Sequence, residues 1–375
     1  MAEHDTAAGG VPESGVFKRR RTNRIIFFAV VAVLIVAVSV VSVCIGQYQL
    51  APGEIWPLLR QGPIHAQQPG NLDASVLWQI RLSRVVLGLL VGAALGVGGA
   101  LMQAVFANPL AEPSVIGVTS GAGVGAALVI VAGSVTGAGS VTGAAGSAGA
   151  AALSTVSVPA AAFIAGLVAT AVVYQLSRIG GRATVVTLIL VGIALNAVCG
   201  AAISLLIFLA PTTAREQIVF WQMGTLAGAT WEQTGIVATL TLLGIVGALT
   251  VASKLDILAL GDAAAQHVGV NVGRLRMVAI ALSTLLTAAA VSFAGLIGFI
   301  GLVVPHIVRT ALGPSNKVLV PASALGGALL IGLADIFART LIPFADMPIG
   351  IFTALIGGPT FFFLLRKMLR KRQQL

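Results

Sequence analysis

Ile25 to Ile45, IIFFAVVAVLIVAVSVVSVCI, contains no charged residue, and apolar runs of similar length recur as far as Leu365. Such runs constrain the fold more than any other feature, because in lipid every backbone N–H and C=O must be satisfied within the protein. A helix meets that demand, and about 20 apolar residues carry it across. With 57% hydrophobic and only 9% charged residues, the chain lies far from the roughly 25% charged residues of a soluble globule. The expected fold class is therefore all-α, a polytopic membrane protein of about ten transmembrane helices.

The formal charge of +10 does not indicate nucleic acid, because the bases cluster beside the ends of apolar runs, where they set topology. Residues 1–24 read as a disordered cytoplasmic tail ending in Lys18, Arg19, Arg20, Arg21 and Arg24, and 25–375 as one transmembrane domain. The run after the tail exceeds the 7–15 residues of a signal-peptide core, so it reads as an uncleaved first helix. Gln47 to Gln79 carries four prolines and suits an external loop, with Trp56 and Trp78 as interfacial anchors. The next spans read as Val85–Phe106, Pro159–Leu176, Thr184–Ala210, Met277–Phe293, Pro321–Ala338 and Ile349–Leu365. Counting bases by side leaves Arg60, Arg81, Arg84, Arg215 and Arg339 outside and both termini in the cytoplasm. Cys44 and Cys199 both lie in apolar runs and form no disulfide or metal pattern.

Gly88, Gly92 and Gly96, and then Gly117, Gly121 and Gly125, are spaced four apart, each set reading as a stripe where a neighbouring backbone approaches. Between them Asn108–Pro113, NPLAEP, breaks the helix and needs partners for its polar groups. Gly133–Ser157 reads either as an external linker or as two helix ends. WQMGTLAGATW, Trp221–Trp231, reads as a short re-entrant or surface helix, and Gly295, Gly298 and Gly301 before Pro305 as a broken one.

A polar island, Ala252 to Arg276, separates two of the spans. Asp262 reads as the N-cap of a short helix, Ala263–Val268, with Gly269 as its left-handed terminator. Lys254, Arg274 and Arg276 place the island on the cytoplasmic side. It is either an ordinary solvated loop or a surface for a soluble partner.

No glycine precedes a lysine, so a P-loop is absent and the chain does not bind ATP in that manner. The paired His and Cys spacings of a metal enzyme are missing as well. The acids, including Glu112, Asp256, Asp262, Asp335 and Asp346, fall in loops or near helix ends, which counts against a proton relay. Asn196, an amide within a span, is either a lining group or interhelical glue.

The blocks Arg81–Leu128, LALGDAAAQHVGV, GLIGFIGLVVPHIVR (Gly295–Arg309), LADIFAR (Leu333–Arg339) and MPIGIFTALIGGPTFFFLL together resemble the FecCD family, permeases of ABC importers for iron complexes and vitamin B12. The resemblance covers nearly the whole chain beyond the tail. It implies the type II ABC importer permease fold, a homodimer, two cytoplasmic ATPase subunits carrying ATP and Mg, and an extracytoplasmic binding protein. This chain itself would bind no cofactor or metal, would be no enzyme, and would sit in the cytoplasmic membrane of a prokaryote.

On this resemblance the island is the ATPase-coupling loop, with Leu258, Leu260, Gly261, Asp262, Ala264, Ala265, Val268 and Gly269 at the contact. Gln266 and His267 depart from the charged residues of the family pattern. Arg81, Arg84 and Arg339 match positions that receive acidic residues of the binding protein, against the alternative that Arg81 and Arg84 snorkel. Thr184, Thr187, Asn196 and Ser204 fall on the helix that lines the pathway. LAEPSVIGVTSGAG and WQMGTLAGATW resemble haem permeases more than the siderophore or B12 branches, so haem is the expected substrate, with ferric siderophores as runner-up and corrinoids third. Met102, Met223, Trp221 and His306 are not assigned to haem iron, since tight ligation would trap a cargo that must leave. An ion-coupled secondary transporter and a non-transporting scaffold are the alternative classes.

Overall fold

A computed structural model describes residues 13–48, 50–64, 70–135, 148–179, 182–343 and 345–373. The chain is helical almost throughout: α1 (Glu13–Cys44), α2 (Pro52–Gln61), α3 (Leu72–Ser75), α4 (Ser83–Val105), α5 (Val118–Val135), α6 (Ala148–Leu176), α7 (Val185–Leu209), α8 (Thr212–Met223), α9 (Trp231–Leu258), α10 (Asp262–His267), α11 (Val272–Ala294), α12 (Ile300–Leu312), α13 (Asn316–Thr340) and α14 (Ile349–Gln373). A two-residue hairpin, β1 (Arg178–Ile179) with β2 (Arg182–Ala183), joins α6 to α7. Among the described residues eight helical segments are long and apolar enough to cross a membrane, and Val118–Ser134 and Ile300–Leu312 are shorter apolar helices. Together they supply the ten expected.

Several boundaries differ from the sequence reading. α1 begins at Glu13, inside the stretch read as a tail, and residues 1–12 of that stretch lie outside the described residues. The Gln47–Gln79 segment contains α2 and α3, and a π-helical stretch, Val76–Leu82, joins α3 to α4 in one helical rod from Leu72 to Val105. Trp78 is tied down within it, donating Nε1–H to the carbonyl of Leu58 at 3.2 Å, while Trp56 stacks with Arg60 at 5.0 Å. Both ends of Gly133–Ser157 are helical, and its middle, 136–147, lies outside the described residues. The WQMGTLAGATW segment is the end of α8, a turn and the start of α9.

The bundle is organised around α4 and α11, which touch each other and are buried along most of their length. α13, α9 and α12 pack on α4, α1 packs on α13, and α5 with α6 and α7 forms a second group joined through α11. Lipid gives helices no hydrophobic reason to associate, so close backbone approach supplies the contact energy. A methyl at Gly92 would overlap the carbonyl of Gly327 on α13, and one at Gly96 that of Ser323. Gly121 and Gly125 meet α6 at Ala165 and Ala161 in the same way. Gly117 is not part of that stripe. With φ +81 it closes the 3₁₀ turn Pro113–Ile116 ahead of α5.

The break after α11 has a defined construction. Gly295, at φ +70, sits against the backbone of α8 and ends the helix, and α12 starts five residues later. Half-buried Glu112 of the NPLAEP segment accepts the N–H of Phe299, the residue preceding α12, at 2.8 Å. Pro305 cannot donate to the carbonyl of Gly301, and Gln103 of α4 fills that role, donating Nε2–H to Gly301 and Leu302 at 3.3 and 3.1 Å. A carboxylate and an amide from the α4–α5 region thus hold both ends of the first turn of α12.

Candidate coupling and docking sites

At one end of the bundle α9 continues to Leu258, so the first seven residues of the island are helix rather than loop. Asp256 in that last stretch caps α13, accepting from the backbone N–H of Asn316 at 2.6 Å and from Ser315 Oγ at 3.0 Å. The protruding element is α10 alone, six residues between Gly261 at φ +107 and Gly269 at φ +83. Both glycines are in backbone regions unfavourable for other residues, and a Cβ at either would meet open space. Conformation, more than close seating, requires glycine there.

Asp262 is not the N-cap. Gly261 occupies that position, and the Asp262 carboxylate instead accepts two hydrogen bonds from the Arg276 guanidinium of α11, at 2.8 and 2.9 Å. The bridge braces α10 against a long central helix. Of the residues assigned to the contact, Leu258 and Ala265 turn into the bundle, at 5% and 0% exposure, and Ala264 is half-buried. Leu260 and Val268 project, at 77% and 69%. These two apolar side chains, just beyond either end of α10, are the ones that the protrusion exposes.

At the opposite end lie Arg81, Arg84 and Arg339, all below 10% exposure. They do not stand free as external bases. Arg84 pairs with Asp335 at 2.9 Å and Asp346 at 2.8 Å, and Arg339 shares Asp335 at 3.1 Å. Arg81 donates to the carbonyls of Val43, Cys44 and Tyr48, and Arg339 to those of Ser42 and Ile45. The last carbonyls of α1 have no intrahelical donors, so two guanidiniums cap them and complement the negative end of its dipole. The arginines therefore stitch α1 to α4 and α13, and Asp335 is buried as their counterion.

The i, i+3 spacing of Arg81 and Arg84, and the i, i+4 spacing of Asp335 and Arg339, are the sequence signals of shared helix faces. A cavity of about 420 Å³ remains above them, lined by Gly46, Gln47, Tyr48, Ile80, the three arginines and Asp346. Arg81 has no carboxylate paired with it among the described residues.

The four residues nominated on α7 are engaged in different ways. Thr184 and Thr187 form a reciprocal capping box at its start, and Thr187 also donates to the carbonyl of Ser177 at 2.9 Å. Asn196 accepts from Ser120 Oγ of α5 at 2.6 Å and donates to the carbonyl of Ser114 at 3.1 Å, which is the interhelical-glue role. Ser204 bonds back to Gly200 on an exposed face of small residues that includes Ala197 and Ala201.

Ten apolar helices, a braced short helix at one end and a charge-lined recess at the other are the build of a polytopic membrane protein. The FecCD transport family model matches residues 31–367. The hemin transport system permease protein HmuU of Yersinia pestis is 40% identical over 299 residues, covering 80% of this chain and 84% of that protein. The cobalamin import system permease protein BtuC of Halobacterium salinarum is 39% identical over 316 residues, covering 83% and 79%. A solved structure described as an inward-facing, metal-chelate type ABC transporter superposes with a TM-score of 0.75 at 32% identity, covering 91% of this chain and 99% of its own. The chain belongs to the FecCD transport family and is an ABC importer permease.

Proposed function

We propose that this permease imports haem, as one half of a homodimer driven by two separate cytoplasmic ATPase subunits and supplied by an extracytoplasmic binding protein. The observation that carries the choice of haem is the 40% identity to a hemin permease over four-fifths of the chain. A cobalamin permease at 39% identity raises corrinoids from third place to a level with the ferric siderophores as alternatives. α10 is the ATPase contact, its exposed Leu260 and Val268 seating in the partner while the Asp262–Arg276 bridge passes the motion to α11. The binding protein docks over the outer recess, where Arg81 pairs with no carboxylate among the described residues and Asp346 is partly open. Both termini face the cytoplasm in this arrangement.

ATP-driven uptake by the assembled complex in proteoliposomes, offered haem, cobalamin or a ferric siderophore with the cognate binding protein, tests the assignment. Uptake of haem alone is the expected result. Uptake of cobalamin without haem overturns the substrate and leaves the importer intact. Charge reversal at Arg81 together with Arg339 should weaken binding-protein docking, most at low salt. Unchanged docking by correctly folded protein removes the recess from the interface.

A further inference from the structure

The two aspartates that meet the outer arginines are held in different ways. Asp335, 3% exposed, pairs with Arg84 Nε at 2.9 Å and with Arg339 Nε at 3.1 Å, so it is buried together with both guanidiniums. Asp346 stands at the rim of the recess with its side chain 37% exposed, and it meets Arg84 alone, through Nη1 at 2.8 Å. Asp73 is engaged elsewhere, by the hydroxyl of the rim residue Tyr48. Arg81, Arg84 and Arg339 against Asp335 and Asp346 leave one positive charge unmatched, and Arg81 is the member that pairs with no carboxylate among the described residues.

The segment that carries Asp346 is lightly held. Between the end of α13 at Thr340 and buried Ile349, the described residues Leu341, Ile342, Pro343, Ala345 and Asp346 are all exposed. Asp346 to Arg84 is the one side-chain hydrogen bond from this segment among the described residues. Backbone bonds do the rest, from Met347 N–H to the carbonyl of Ala338 at 3.0 Å and from Ile349 N–H to that of Gly224 at 2.9 Å. An ion pair with a solvated member is weak, and a segment with few buried contacts opens at low cost. Asp335 is therefore the permanent partner of Arg84, and Asp346 the exchangeable one.

We propose that Asp346 is an internal competitor for the docking site: in the free permease it occupies the Arg84 Nη1 position that a carboxylate of the binding protein takes on docking, and it then turns out to solvent. This inference rests on the docking reading given above. Asp335 stays with Arg84 and Arg339 throughout, so the cluster keeps its buried counterion during the exchange. An incoming carboxylate faces both Arg81 and Arg84 in the same recess, whereas Asp346 meets only Arg84, and that difference favours the exchange. Docking is weakened in proportion to the time Asp346 spends on Arg84, because only the vacated state receives the partner fully.

The test titrates full-length permease in phosphatidylcholine nanodiscs with its binding protein, after thermal unfolding has shown each variant to be folded. Asp346→Asn keeps the size of the side chain and removes the competing charge, so docking should tighten about two- to fivefold, the factor equivalent to an exposed ion pair. Asp346→Glu keeps a competitor and should show no such gain. Docking that is unchanged or weaker in Asp346→Asn overturns the proposal and makes Asp346 part of the structural tie. An equal gain in the Asn and Glu variants overturns it as well, since charge would then not be the cause. Arg81→Gln separates this inference from the docking reading on which it rests. Weaker docking in that variant, without a gain in Asp346→Asn, removes the exchange alone. Docking indifferent both to Arg81→Gln and to salt moves the interface away from the recess and takes the exchange with it.

Discussion

Three arginines stand together near each end of the bundle, among others, and the two sets are placed in opposite ways. At the end beside the start of α4, Arg81, Arg84 and Arg339 are buried, and their donors are taken up by two aspartates and the orphan carbonyls of α1. At the α10 end, Arg178, Arg274 and Arg276 surround an open cavity with one aspartate among them. Desolvating a guanidinium is costly unless its partners are complete, so the buried set is structural. In the second set Arg178 and Arg274 are exposed and Arg276 is half-buried. The same residue type therefore ties helices together at one end and stays in contact with solvent at the other, and the difference lies in what surrounds it.

The strongest test of this contrast is Asp335→Ala. It leaves Arg84 and Arg339 without their shared counterion, and removal of one member of a buried pair costs about 3–5 kcal/mol. Thermal unfolding of the detergent-solubilised permease should show the loss. A change within the noise would mean that the outer arginines are not structural, and the two ends would then be alike.

A smaller effect on stability, with a large one on activity, is expected at α10. Gly269→Val forces a β-branched residue to φ +83, costing about 1–3 kcal/mol of local strain. Inserted amounts should match wild type while ATP-driven uptake by the complex falls severalfold or more. Gly269→Asn should retain more uptake, because asparagine tolerates the left-handed region. Equal activity of the Val and wild-type proteins would detach α10 from coupling.

Smaller again is Arg276→Gln. The bridge to Asp262 is 17% and 49% exposed at its two side chains, so after solvent screening it contributes at most about 1 kcal/mol to stability. A double-mutant cycle with Asp262→Asn measures that coupling. A value near that of the buried Asp335 cluster would erase the distinction between the ends.

The least effect belongs to Tyr48, on the rim of the outer recess. Its hydroxyl donates to Asp73 at 2.6 Å, and this bond, before burial and the carboxylate charges, holds the phenol above its ordinary value of 10.0. A raised folded value means that the tie is present below the unfolded pKa and is lost as pH climbs through the folded one. Absorbance titration in a Tyr174→Phe background should place Tyr48 ionisation above that of free tyrosine, and Asp73→Asn should bring it back.

The helical fold and the number of spans were legible because the demand is local: a segment in lipid satisfies its own backbone, and the apolar runs record this directly. The glycine stripes of α4 and α5 were legible for the same reason, as helix contact requires small residues at fixed spacing. Other features were hidden. The last turns of α9 carry Ser253, Lys254 and Asp256 and read as loop, yet the helix continues through them and brings Asp256 to cap α13, 60 residues further on.

Arg81, Arg84 and Arg339 announced themselves as unusual, and the family resemblance supplied a role for them. Their burial could not be read from their neighbours, because Arg84 meets Asp335 and Asp346 across separations of 251 and 262 residues. Asp262 was likewise legible as a residue at the start of a short helix, while its partner Arg276 was decided by how α11 returns beside α10. Sequence determined which segments cross the membrane, since hydrogen bonding within a helix and transfer into lipid depend on consecutive residues. Only the tertiary structure decided which charges are spent and which are open, because solvation and pairing depend on groups that meet only after the helices have packed.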